Sequence, residues 1–135
     1  MSACHCFYDD VNKMSLRAGS TVRESGGVVS GISTVVYHAN YDSITLDNDM
    51  VVVQPFEPFQ VGPNIQIVNV PSKFGYEAPA GLPVTVVGWG MDGDGNRPEQ
   101  LQKVDLSVGK TSICKDIFAD YNPVTESMMC AGVIN

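Results

Sequence analysis

Basic residues are scarce in this chain: eight Lys and Arg stand against fifteen Asp and Glu, a net charge of −7. They are also scattered singly, from Lys13 to Lys115. A nucleic-acid partner or an anionic membrane surface requires a clustered basic footprint, so both are excluded as expected partners. Long apolar runs are missing too. The longest uncharged stretch, Ser25 to Tyr41 with His38 counted neutral, is interrupted by Gly26, Gly27, Gly31 and several Ser and Thr, and falls short of a membrane-spanning helix. No leader-like apolar segment follows Met1, whose neighbours are Ser2-Ala3-Cys4-His5-Cys6; the chain is either cytosolic or its true beginning lies upstream. The four cysteines contain no C-x-x-C pair, which excludes a zinc ribbon and leaves too few for a disulfide scaffold. Charged residues make up only 17%, against 44% hydrophobic, and that balance argues for a packed core over disorder.

At 135 residues there is room for one ordinary domain or two small ones. Thirteen Gly and eight Pro suit a chain that turns often. Short runs rich in Val, Ile and Thr recur between turn residues, the pattern of an all-β sandwich or barrel. They are Val28 to Val36, Met50 to Val53, Ile65 to Val70, Val84 to Val87, Leu101 to Val108 and Met128 to Ala131. The one helical stripe lies around Ser112 to Tyr121, with Thr111 or Ser112 as its cap and Ile113, Ile117 and Phe118 on its apolar side. Between Val70 and Val84, Pro71, Pro79, Pro83, Gly75 and Gly81 deplete ladder donors, which predicts a linker or a long surface loop.

Two residues draw attention as chemistry. His5 lies in Ser2-Ala3-Cys4-His5-Cys6, and Asp49 stands at the mouth of the apolar run Met50 to Val53. A buried carboxylate and a histidine are two-thirds of an acyl-transfer triad, in which the acid orients the imidazole and the imidazole takes a proton from the nucleophile. Read alone, each is more often a structural residue than a catalytic one, Asp49 a turn residue at a strand entrance. Cys4, His5 and Cys6 do not form a metal cluster in this reading, because adjacent residues of an extended strand face opposite ways. Asp92-Gly93-Asp94-Gly95-Asn96 has alternating oxygen ligands, yet Arg97 and Lys103 occupy the positions where a calcium loop needs Gly and Glu; a hairpin loop is expected instead. His38 is read as a surface residue and Trp89 as a core or groove-wall residue. No metal and no cofactor is expected.

Several segments, in order, are similar to those of the chymotrypsin-like (trypsin family) serine endopeptidases. Ser2-Ala3-Cys4-His5-Cys6 resembles the T-A-A-H-C motif around the general base, and Asn48-Asp49-Met50-Val51-Val52 the N-D-I-A-L-like motif around the triad Asp. Gly88-Trp89-Gly90 resembles the strand ending G-W-G, and Met129-Cys130-Ala131-Gly132 the M-[FI]-C-A-G segment. His38-Ala39-Asn40-Tyr41-Asp42 resembles H-P-x-Y-D, and Leu101-Gln102 the L-Q strand after the G-W-G loop. The resemblance implies a double six-stranded Greek-key β-barrel, here partly represented. Residues 1–70 would be a partial N-terminal barrel, 71–82 the inter-barrel linker and 83–135 a partial C-terminal barrel, with the active site in the cleft between barrels. It also implies catalytic roles for His5 and Asp49, a Cys114–Cys130 disulfide, protein or peptide substrates, protein protease inhibitors as partners, and secretion.

Two departures stand out. Cys4 replaces the Ala beside the family's His. The family's G-D-S-G-G motif, which supplies the nucleophile and the oxyanion-hole amides, does not occur in this sequence, so the chain is expected to hold the base and its orienting acid but no serine to activate. The expectation is a piece incomplete at both ends, inactive and aggregation-prone by itself, with Cys6 lacking the upstream cysteine it would pair with. The alternative reading is a non-catalytic homologue acting as a binding or regulatory module. For the parent enzyme, hydrolysis should fall as the base is protonated, in the ordinary imidazole range near about 6.5.

Overall fold

A computed structural model describes residues 1–70 and 77–132. Half of the expected 71–82 linker, residues 71–76, lies outside the described residues. The chain divides into two compact units, Met1–Val68 and Asn69–Asn135.

In the first unit, β1 (Ser15–Ala18), β2 (Val28–Tyr37) and β3 (Val51–Pro55) form an antiparallel sheet in the order β1-β2-β3. The β1–β2 connection turns on glycines at positive φ, Gly26 at 66° and Gly27 at 64°. At Gly27 a side-chain carbon would run into the Ala18 carbonyl oxygen, so glycine is required there twice over. Between β2 and β3 the register shifts at Ile32/Thr34, and Ser33 Oγ lies 3.2 Å from both the Gln54 and the Pro55 carbonyl oxygens across that irregularity. The core of this unit is Cys4, Phe7 and Val51, with Val11, Met14, Ile32, Val35, Tyr41 and Val53 packed on it. It sits directly beneath the segment carrying His5, which is a single 3-10 turn, Cys4–Phe7.

In the second unit, β4 (Pro83–Gly88), β5 (Gln102–Val108) and β6 (Ala131–Gly132) form a second antiparallel sheet, in the order β4-β5-β6. Helix α1 (Thr111–Phe118) follows β5. Its cap differs from expectation: Lys110 occupies the N-cap without a side-chain hydrogen bond, and Thr111 is the first helical residue. The Thr111 hydroxyl is turned to Glu77 Oε1 at 3.3 Å. Cys114 on the helix is bridged to Cys130, their α-carbons 6.5 Å apart, and the Gly109 N–H donates to the Cys130 carbonyl at 2.9 Å. Bridge and hydrogen bond together fasten the helix-bearing loop to the end of β5, where Val108 is buried.

One expected strand is absent. Ile65 to Val70 makes only an isolated bridge between Gly62 and Ile65, and Ile67 is 84% exposed. A run of β-formers without a neighbouring strand to share its ladder does not become a strand.

Candidate active site

Strand pairing delivers the site. Ser2 and Val51 form a two-bond bridge, Ser2 N to Val51 O and Val51 N to Ser2 O, each 2.9 Å. That lays Ser2-Ala3-Cys4 antiparallel to Asp49-Met50-Val51 and carries His5, 44 positions away in sequence, to Asp49. The His5 Nδ1 is 2.5 Å from Asp49 Oδ2, and the His5 backbone N–H donates to Asp49 Oδ1 at 2.9 Å. An ionised carboxylate only accepts. In the neutral imidazole the ring proton therefore belongs on Nδ1, which leaves the lone pair on Nε2. Asp49 is mostly covered, with 19% of its side chain exposed against 50% for His5. One face of the imidazole unit is thus held by protein and the other is open.

Burial pushes the Asp49 carboxyl upward, but the His5 ring and backbone donors, the His5 charge and the Cys4 N–H outweigh it, and the net direction is below the ordinary carboxylate value. A carboxylate surrounded by donors in this way stays ionised and supports positive charge on the ring it touches.

The loop that presents Asp49 is fixed by its own polar groups. Asp42 Oδ1 accepts the N–H groups of Ile44 and Thr45 at 2.8 and 3.2 Å, and these bonds hold its carboxyl below the ordinary value. Asp42 N donates to Asp47 O at 3.0 Å, and Asn48 Nδ2 to Asn40 O at 3.1 Å. Leu46 and Asn48 take positive φ, 58° and 53°, a conformation Asn tolerates and Leu adopts only when its surroundings impose it.

Further contacts join the His5 turn to the Asp49 side, and sequence reasoning missed all of them. Tyr37 Oη donates to the Phe7 carbonyl at 2.8 Å, Tyr8 and Tyr41 share a hydroxyl–hydroxyl hydrogen bond, and the Cys4 thiol donates to the Met50 carbonyl at 2.8 Å. Burial, the Tyr8 hydroxyl and the Asp49 charge raise the Tyr41 phenol above its ordinary value. The grouping of tyrosines beside both motifs was the available signal. Cys4 and Cys6 are unpaired thiols, Cys4 buried and Cys6 exposed, with Cys6 Sγ 3.5 Å from His5 Nε2.

The remaining sequence candidates have surroundings of their own. His38 is exposed, and its Nδ1 accepts the Asn40 N–H at 3.3 Å. Trp89 is half-buried in the second unit. Asp92 Oδ1 accepts from Asp94 N at 3.0 Å and Asn96 N at 2.8 Å, so its carboxylate closes its own loop. Among the described residues no group of three or more His, Cys, Asp and Glu side chains is arranged to hold a metal ion.

A bridged imidazole and carboxylate on an antiparallel framework is the geometry of a base and its orienting acid, and known proteins carry the comparison further. The family model described as Trypsin matches residues 1–135, the whole chain. The chain belongs to the trypsin family. Relatives of this trypsin-family chain include Trypsin Blo t 3 of Blomia tropicalis, 30% identical over 100% of this chain and 52% of that protein. Alkaline trypsin B of Manduca sexta is 32% identical, over 98% of this chain and 52% of that protein. Trypsin eta of Drosophila melanogaster is 32% identical, over 98% and 51%. The chain spans about half the length of the curated relatives it matches. Among solved structures it is similar to the scabies mite inactivated protease paralogue S-D1, with a TM-score of 0.88 and 18% identity over 98% of this chain and 59% of that one. At that identity the likeness speaks for the fold alone, and the fold is a partial chymotrypsin-like β-barrel architecture.

Proposed function

We propose that the full-length protein is a secreted serine endopeptidase in which His5 is the general base and Asp49 the carboxylate that orients it. The nucleophilic serine would come from sequence outside these 135 residues. The single observation that carries this reading is the two-point contact of Asp49 with the ring and backbone of His5. With Nδ1–H committed to Asp49, Nε2 is the free base of the unit. A serine hydroxyl placed against Nε2 gives up its proton as its oxygen attacks the scissile carbonyl. The imidazolium formed is stabilised by the Asp49 charge, and it then returns the proton to the leaving amine. Cys6 Sγ touches Nε2 only loosely, at 3.5 Å, and a hydroxyl displaces such a contact.

The substrates of this reading are proteins or peptides, and protein inhibitors that mimic them are the natural partners. Secretion agrees with the Cys114–Cys130 bridge, since disulfides persist in oxidising compartments. Residues 1–70 and 83–135 would be the first and second partial barrels, joined by 71–82.

The test is to read the transcript past the codon for Asn135. A Gly-Asp-Ser-Gly-Gly segment is the expected result. Gly or Ala in place of that Ser would contradict the proposal and make the protein a non-catalytic homologue that binds or regulates.

A further inference from the structure

The 3-10 turn that carries His5, Cys4–Phe7, is tied at both ends to one pair of strands. Before its entrance, Ser2 and Val51 exchange two backbone hydrogen bonds of 2.9 Å. At its exit, the Phe7 carbonyl accepts the Tyr37 hydroxyl at 2.8 Å. Tyr37 and Val51 are register partners in the β2–β3 ladder, so both ends are referred to one rung, two residues beyond Asp49. The residue after the turn, Tyr8, is held as well: its hydroxyl shares a hydrogen bond with that of Tyr41, on the loop that leads from β2 to Asp49. Tyr37 and Tyr41 bracket His38-Ala39-Asn40. Two hydroxyls from one short stretch therefore meet two successive residues, Phe7 and Tyr8, where the chain leaves the turn.

We infer that Tyr37 and Tyr41 form a clamp on the exit of the His5 turn, their hydroxyls positioning the imidazole against Asp49 for the proposed proton transfer. This rests on the endopeptidase reading above. The turn has other supports, and they differ in kind. The Phe7 ring is buried with Cys4 and Val51, a contact without direction that leaves the orientation of the Phe7–Tyr8 peptide to its hydrogen bonds. The Ser2–Val51 bridge fixes the chain before the turn, not after it. The contacts of Asp49 with the His5 ring and backbone are the alignment itself, which the clamp preserves. A carbonyl at the end of a helical turn has no partner within the turn, and Tyr37 supplies one from the strand pair that leads to Asp49. Aromatic packing accounts for the rings of Tyr8 and Tyr41, whose centroids lie 6.1 Å apart, but not for hydroxyls directed at consecutive residues of one exit. Both tyrosines act through Phe7 and Tyr8 and not on the reacting atoms. With the hydroxyls gone, the exit peptide shifts more freely, and His5, two residues earlier, spends less time aligned with Asp49. Fewer molecules are then poised for proton transfer, so kcat falls while substrate binding is unchanged.

The experiment compares Tyr37→Phe, Tyr8→Phe and the double variant in the full-length protein by steady-state peptide-ester hydrolysis. Each change keeps the ring and removes one hydroxyl; Tyr8→Phe takes away the partner of Tyr41 and leaves Tyr41 in its packing. Each single variant should lower kcat by about two- to tenfold, the scale of one neutral hydrogen bond, and the double variant by at least about tenfold, with KM within about twofold. Parent-like kcat in the double variant would overturn the inference. So would a loss confined to KM, which would make the hydroxyls substrate contacts. A second measurement needs no turnover: the low-field proton resonance of His5 Nδ1–H, identified by its disappearance in Asp49→Asn, should broaden and weaken in the double variant, and an unchanged line refutes the positioning role. Hydrolysis that survives His5→Ala defeats the endopeptidase reading and this inference with it. Hydrolysis that needs His5 but ignores the double substitution defeats only the inference.

Discussion

Asp49→Asn is the sharpest perturbation of the relay, because it changes one atom and keeps the shape. The carboxylate accepts the His5 ring at 2.5 Å and the His5 backbone N–H at 2.9 Å. A carboxamide has one acceptor oxygen and two donor hydrogens. With its oxygen kept on the backbone N–H, its NH2 faces Nδ1–H, donor against donor. The ring escapes by moving its proton to Nε2, and Nε2 can then no longer take a proton from a nucleophile. Packing is unchanged, so the loss falls on kcat. Characterised Ser-His-Asp triads lose about 10⁴ in kcat on this substitution, through the same wrong tautomer, equivalent to about 5 kcal/mol of barrier. The assay is ester hydrolysis by the full-length protein on its pH plateau, with thermal unfolding measured alongside. A midpoint close to the parent's with turnover down by that factor supports the reasoning. Turnover within tenfold of the parent would refute it.

Other perturbations test the framework. Replacing Cys114 and Cys130, which close a loop of sequence separation 16, should cost about 3 kcal/mol in urea unfolding, the cross-link term for a loop of that size; an unchanged midpoint would contradict the bridge. Gly27→Ala forces a methyl against the Ala18 carbonyl at φ 64° and should destabilise by more than about 1 kcal/mol, whereas Gly31→Ala, in open space, should be far milder. Because the folded Asp49 carboxyl lies below its ordinary value, its pairing contributes stability that is fully present above the unfolded carboxyl range, about 3.9. That contribution is lost as pH falls through the lower folded value. Stability measured in urea between pH 5 and 2 should therefore drop more in the parent than in Asp49→Asn, and parallel curves would contradict the linkage.

The pairing of His5 with Asp49 was legible because both ends sit in short motifs whose residue types fit one reaction, and a strand entrance follows Asp49 directly. β2 and β5 were legible as β-branched runs between turns. β1 was not: Ser15–Ala18 is four residues long, carries Arg17, and becomes a strand only by pairing with Val28 to Gly31. Ile65 to Val70 misled for the converse reason, since local preference for extended backbone does not provide a partner. The Lys110 cap escaped because Thr111 and Ser112 are better cappers by residue type, yet Thr111 turns to Glu77. The grip of Cys4 on Met50 was invisible for a simpler reason. Its acceptor is a backbone carbonyl, which every residue carries, and only the fold selects which one.

The most direct measurement of the central claim is covalent labelling of the full-length protein by a fluorophosphonate, which reacts with a serine activated by its neighbouring base. The account predicts one label per molecule, formed at a rate that collapses in His5→Ala and Asp49→Asn. No label, or labelling indifferent to both substitutions, would contradict it.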